Sequence, residues 1–400
     1  MNQTRDGGLP FSRGIFLRVG PILALLFLAI DNYHFLTETL SRGQIIGRDF
    51  TVFWTSSVLL WRGEIAAIFD PVLNQMWMER IIGLDLAAIP FPYPPHSLYF
   101  VAPWGFMPYF VALPLWLLTT LLGLLAVLRL NLDDFATRFS LPRWTIIAAF
   151  VLSPACLVNV AMGQNGFLSS ALLCGGLLLL ERKPLLAGVL IGLLSYKPQL
   201  GLLLPFLLIA GGYWRPFWVA TATVIALLTA SVIFLGIDAW KLYLAEAAPQ
   251  QMAFAQFGHG VFQQMTPSYF MAGRLLGIDL ALAWGVQICV SIAVLCATIW
   301  AFRQNVTFKL KCALAMVAAF IVSPYVLIYD MPIIAIAILI AGSCFKASQI
   351  ERTIFALAWL FPAYAIFIPL PIGPVVLTGT LLVLLRRIWI ESRLPQASLS

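Results

Sequence analysis

Long apolar runs broken by short polar turns dominate this chain. Ile15 to Ile30, Leu113 to Leu130, Trp144 to Val160, Phe217 to Leu235, Ala281 to Phe302 and Val375 to Leu385 are each long enough, or nearly so, to cross roughly 30 Å of hydrocarbon as helices. None alternates apolar and polar residues as a barrel strand would. The pattern predicts an all-α, polytopic membrane protein forming a single integral domain over residues 1–400. Thr51 to Trp61 and Val72 to Ile82 carry Trp, Phe and Met on one side, the spacing of helices lying in the interface. Pro90 to Pro95 then stops any helix. Ser97 to Met107 is apolar but surplus to the span count, and is expected to re-enter without crossing.

Composition agrees with this reading. Residues are 61% hydrophobic and only 10% charged, with a mean hydropathy of +0.94, which a soluble domain could not bury. The net charge of +7 records topology rather than nucleic-acid binding. With the N-terminus and about twelve helices counted from the cytoplasm, Arg129, Arg138, Arg143, Arg182, Lys183, Arg303, Lys309, Lys311, Arg386 and Arg387 fall inside. Arg48, Arg62, Arg80, Lys197, Lys241 and Arg274 fall outside. This parity requires Pro184 to Gly212 to cross twice, each half only about 13 residues or about 20 Å long. The turn Tyr196-Lys197-Pro198-Gln199 is then recessed below the outer surface, where non-helical backbone is tolerated only beside a cavity. The alternative is one long span, which would invert every later loop. The first apolar run is an uncleaved span, for it lacks a small-x-small cleavage site.

Two outer loops are long, residues 32–96 and 237–281, and the titratable groups gather there. Asp49, between Arg48 and the aromatic Phe50, Phe53 and Trp54, reads either as a partly desolvated general base or as the N-cap of the helix that follows. Gly163-Gln164-Asn165-Gly166 offers amides to sugar hydroxyls or merely closes a tight turn. Lys197 in a recessed turn requires an anion, a lipid phosphate or an internal partner such as Asp330 or Asp49. Ser323 to Pro332 brings Tyr329 and Asp330 after a proline break. The second loop contributes His259, Gln264 and Arg274, the last either meeting a phosphate or pairing with Asp279. Pro94-Pro95-His96 lies at the mouth of such a site or at the interface. The six cysteines read as small buried hydrophobes. No metal-ligand spacing, P-loop, dinucleotide or serine-hydrolase signature occurs, and no cofactor is expected.

In their order, Arg48-Asp49-Phe50, Tyr93-Pro94-Pro95, Gly163-Gln164-Asn165, Lys197-Pro198-Gln199, Met265-Thr266-Pro267 with Arg274, and Ser323-Pro324-Tyr325 with Tyr329-Asp330 resemble glycosyltransferase family 87, of the GT-C class. The resemblance implies an inverting transfer of a sugar, typically mannose, from a polyprenyl-phosphate donor to a lipid or glycan acceptor. It places that reaction on the extracytoplasmic face of a bacterial plasma membrane. It implies Asp49 as the base and Lys197, with Arg274, as the cations on the donor phosphate in place of a metal. Tyr93, His96, Gln164, Asn165, Gln199, His259, Gln264, Tyr329 and Asp330 would line the substrates. Gln264-Met265-Thr266-Pro267-Ser268 departs from the asparagine-glutamine-serine pattern of mycobacterial mannosyltransferases in the family, leaving sugar and acceptor open. A transporter or flippase is the competing class, but it should show a repeated half. A non-catalytic scaffold should scatter its polar groups over both faces.

Overall fold

The structure, a computed structural model, describes residues 47–82 and 90–394. The expected first span at Ile15 to Ile30 lies outside those residues, as do Asp31, His34 and Asp85. Among the described residues there is no strand. The helices that build the fold are α1 (Phe50–Trp61), α2 (Tyr109–Leu128), α3 (Pro154–Met162), α4 (Gly166–Leu178), α5 (Pro184–Leu193), α6 (Trp214–Leu235), α7 (Leu280–Arg303), α8 (Phe308–Val322), α9 (Pro332–Cys344), α10 (Gln349–Tyr364) and α11 (Ile372–Glu391).

At the centre lies α8, buried without interruption from Cys312 to Val322. Its alanines at 313, 315, 318 and 319 let neighbouring backbones approach, the device by which apolar helices associate when lipid and side chain are equally oily. A second close contact joins α5 to α6. A Cβ on Gly188 would lie 2.6 Å from Val219 Cβ, and one on Gly192 would lie 2.5 Å from Thr223 Cβ. The Gly-x-x-x-Gly spacing therefore presses one helix onto the other, and the matched order of the contacts makes the two run in the same direction.

The contacts sort the bundle into two ends. At one, Arg143 pairs with Asp133, Lys309 with Asp134 and Arg387 with Glu351, while Arg138 Nε donates to the Gly342 carbonyl. Tyr213 donates to Glu181 there too, at 3.2 Å. The chain thus leaves this basic end at Glu181 and returns to it at Tyr213, so Pro184 to Gly212 goes out and back. It turns at Lys197, whose φ of −129° and ψ of 69° break the helix ahead of Pro198.

Among the described residues five helices are long and apolar enough to cross a bilayer: Tyr109–Phe139, Trp214–Leu235, Leu280–Arg303, Gln349–Phe367 and Ile372–Glu391. A sixth is obtained if Arg143–Val151 and Pro154–Met162, bent by 50°, are taken together. The expected count of about twelve would need the shorter apolar helices of 10–17 residues as well, and the span expected at Ile15 to Ile30 lies outside the described residues. Proline begins α3, α5 and α9, and each of these short helices packs against longer neighbours. Ser97 to Met107 folds as a short helix and a 3₁₀ turn that bind α1 without crossing. Ser57 Oγ and Trp61 Nε1 both donate to the Ala102 carbonyl, and Trp54 Nε1 donates to that of Met107.

Replacing Gly192 by leucine overfills the α5–α6 contact and should cost about 1–3 kcal/mol. The cost is read as earlier loss of the monodisperse species on heating in detergent; unchanged thermal resistance would show that the contact does not constrain the fold.

Candidate active site

At the end opposite the basic one, four connections meet. The first turns at Gly47, with φ of 72°, and its carbonyl accepts from Phe50 N at 2.8 Å and from Tyr109 Oη at 2.9 Å. The second, after α3, turns at Gly163, also left-handed. A Cβ on Gly163 would lie 2.9 Å from Phe50 Cβ and 3.3 Å from Gly47 Cα, so these two glycines let the loops lie directly on one another. Asp49 N then donates to the Met162 carbonyl at 3.2 Å. Phe50 anchors the junction, its ring centroid 5.7 Å from that of Tyr109 and 6.2 Å from that of Trp116.

Asp49 stands at the N-cap position of α1, yet its side chain makes no capping bond. Its Oδ2 accepts instead from Gln164 Nε2 at 2.8 Å. Burial raises the Asp49 carboxyl above its ordinary range, against the lowering effects of the Gln164 hydrogen bond and the Arg48 charge. Gln164 is itself held: its Oε1 accepts from Asn165 N at 3.2 Å, and its backbone N donates to the Asn159 carbonyl. Asn159 Oδ1 accepts from Gly166 N at 2.7 Å. A Cβ on Gly166 would lie 1.8 Å from the Tyr329 carbonyl oxygen, so only glycine brings this loop onto the fourth connection.

Asn165 continues the chain of contacts. Its Oδ1 accepts from Lys197 Nζ at 3.0 Å, and the same ammonium donates to both carboxylate oxygens of Asp330, at 2.7 Å each. Lys197 is 2% exposed and Asp330 fully buried; the ammonium also lies 4.9 Å from the centre of the Tyr329 ring. Of the anions open to Lys197, the structure selects Asp330, and its three ammonium hydrogens match three acceptors. Asp49, Gln164, Asn165, Lys197 and Asp330 thus form one connected set drawn from four connections. Tyr93 stands beside Asn165 over an aromatic floor of Phe53, Phe91, Trp116 and Tyr196. Burial, and next the charge of Asp330, push the Tyr93 phenol upward, so it remains a neutral hydrogen-bonding group.

The remaining expected residues are placed differently. His96 is buried, its Nε2 3.2 Å from Ser195 Oγ and its ring stacked on Trp240; burial lowers its pKa. It supports the Lys197 turn from behind. Gln199 is half-buried on the short helix Pro198–Gly201. His259 is exposed, whereas Gln264 Oε1 is buried without a hydrogen-bond partner. Arg274 donates from Nη1 to the Ile278 carbonyl at 3.3 Å, and its Nε is buried without a partner. The alternative pairing with Asp279 is not formed, since Asp279 caps α7 through Ala281 N and Leu282 N. Its stretch of chain is nevertheless tied to the site, for Ile328 N donates to the Met265 carbonyl at 3.0 Å. Sequence reasoning missed Asn159, Ser195 and Gln251, which donates to Tyr325 Oη at 2.8 Å. Among these, only Asn159, a lone amide inside an apolar run, carried a signal. Among the described residues no three His, Cys, Asp or Glu side chains gather as a metal site would require.

A helical bundle with several membrane-length apolar helices, and with carboxylates and amides gathered at one end, defines a polytopic membrane protein with a polar site. A model of glycosyltransferase family 87 matches residues 91–324, more than half of the chain, and the protein belongs to that family. It is a membrane glycosyltransferase and acts on a donor and an acceptor. No curated protein and no solved structure matches. The matched region contains Tyr93, Gln164, Asn165, Lys197 and Arg274 and stops short of Asp330; Asp49 precedes it.

Removing one member of the buried pair strands the other's charge. Lys197→Met and Asp330→Leu should each cost about 3–5 kcal/mol, while the double variant should recover most of the loss. Thermal unfolding in detergent distinguishes the cases, and additive losses would mean that the two side chains do not act as a pair.

Proposed function

We propose that the protein transfers a hexose, of the mannose type, from a polyprenyl-phosphate donor to a hydroxyl of a lipid or glycan acceptor, with inversion and with Asp49 as general base. The observation that carries this reading is the carboxylate of Asp49 itself, which is released from the capping role and fixed through one oxygen by Gln164. The other oxygen is left to take the acceptor proton. As the acceptor oxygen bonds to the anomeric carbon, its proton passes to Asp49 and the bond from that carbon to the donor phosphate breaks, the electron pair leaving with the phosphate. The Lys197 ammonium, committed to Asp330 and Asn165, orients the amide loop rather than meeting the phosphate directly. Arg274, with guanidinium donors left over, is the cation we assign to the departing charge.

Sidedness supports the same reading. A cytoplasmic position for the cationic end bearing Arg138, Arg143, Lys309 and Arg387, as the positive-inside trend favours, supports a site on the extracytoplasmic face of a bacterial plasma membrane. Short helices that run out and back, as at Pro184 to Gly212, support a count near twelve. Helices Phe50–Trp61 and Pro71–Ile82 suit an interfacial position beside the site.

Asp49→Asn preserves shape but cannot accept the proton. Incubated with a polyprenyl-phosphate sugar and a membrane-lipid extract as acceptor, it should release polyprenyl phosphate roughly 10²–10⁴ times more slowly than the unaltered protein. Undiminished release would refute the base assignment.

Activity should rise with pH as Asp49 loses its proton. Gln164→Leu removes the hydrogen bond that favours the ionised form, so the acidic limb of the rate profile should move to higher pH. A lower rate with an unmoved limb would reduce Gln164 to a packing role.

A further inference from the structure

Far from the site, at the basic end, α7 and α11 flank α8 and leave a shallow, open groove between them. Ala297 and Trp300 form one wall; Leu382, Leu385, Arg386 and Trp389, on one face of α11 by their spacing, form the other. Trp300 and Trp389 are 37% and 46% exposed. Paired tryptophans at corresponding depths on two membrane helices mark the headgroup level. Arg386 lies one turn deeper on α11.

The charge at the mouth is unbalanced. Arg386 reaches Glu351 only at 3.4 Å, and its side chain is 64% exposed. Glu351 already accepts from Arg387 through both oxygens and from Ser348 N, so these three side chains carry a net positive charge. Arg393 adds another, 4.1 Å from the centre of the Trp389 ring. The nearby carboxylate of Glu391 is turned to Thr307, accepting from its N and Oγ1 at 2.7 Å.

We propose that this groove is a binding site for one anionic glycerophospholipid, its phosphate on the Arg386 guanidinium and an acyl chain along Leu382, Leu385 and Ala297. The apolar walls exclude a free phosphate as the natural occupant, for it would leave them uncovered. A zwitterionic lipid would bring its own cation beside two arginines. Basic pockets between helices on the cytoplasmic side favour anionic headgroups for this reason.

The test uses full-length protein, delipidated in detergent, titrated with short-chain phosphatidylglycerol, short-chain phosphatidylcholine or inorganic phosphate, with bound lipid counted by native mass spectrometry. Phosphatidylglycerol should bind roughly tenfold more tightly than phosphatidylcholine, the difference expected for one charge-assisted contact. Arg386→Gln should abolish the preference. Arg352→Gln, at the same end but engaged with Gln349, should keep it. Ala297→Trp, which obstructs the acyl-chain path along the groove, should weaken both lipids. Equal binding of the two lipids, a preference surviving Arg386→Gln, or displacement of the lipid by inorganic phosphate would overturn the proposal. The readout is independent of sugar transfer and of Asp49.

Discussion

A full ion pair with almost no access to water, Lys197 with Asp330, is the constraint on which the site end of this protein depends. Charges taken out of water are tolerated only when matched and hydrogen-bonded, and both oxygens of Asp330 and one of Asn165 meet the ammonium at 2.7–3.0 Å. That pairing fixes where the Pro184–Gly212 hairpin turns and where the break before α9 must lie. Asn165, held from one side by the ammonium, passes order to Gln164 through its backbone N–H, and Gln164 delivers it to Asp49. Lys197, expected to meet the donor phosphate, is thus paired with Asp330 and linked to Asp49 through Asn165 and Gln164.

The close approaches that make this possible rest on glycine. Gly163 against Gly47 and Gly166 against the Tyr329 carbonyl leave no room for a Cβ, so loops from opposite parts of the chain touch backbone to backbone. In an apolar bundle such contacts also remove polar backbone from lipid, because the turns satisfy one another, as when Asp49 N donates to Met162 and Ile328 N to Met265. The polar face of the bundle is concentrated in a few turns. The rest of the chain holds them still.

Much of this was legible in the sequence because charge is scarce. A carboxylate or lysine within apolar sequence needs a partner, and Asp49, Lys197 and Asp330 were visible for that reason, as were the paired amides 164 and 165. Their convergence was less so. Whether Asp49 capped a helix or faced the site turned on the direction of one side chain, and the partner of Lys197 on which of several anions lay near. His96 was legible as a polar group in this stretch, but not that its Nε2 would meet Ser195 and its ring stack on Trp240, with Nδ1 buried and unpartnered. Helix number was the weakest inference from hydropathy: prolines cut the apolar runs into pieces of 10–17 residues whose neighbours, rather than their own length, decide how they lie.

A single carboxylate that only removes a proton admits one stereochemical course. The most direct measurement is therefore the anomeric configuration of the transferred sugar in the product, read by NMR against that of the donor. Opposite configurations are predicted. Retention would contradict the account, since a single attack by the acceptor oxygen from the face opposite the departing phosphate inverts the anomeric carbon.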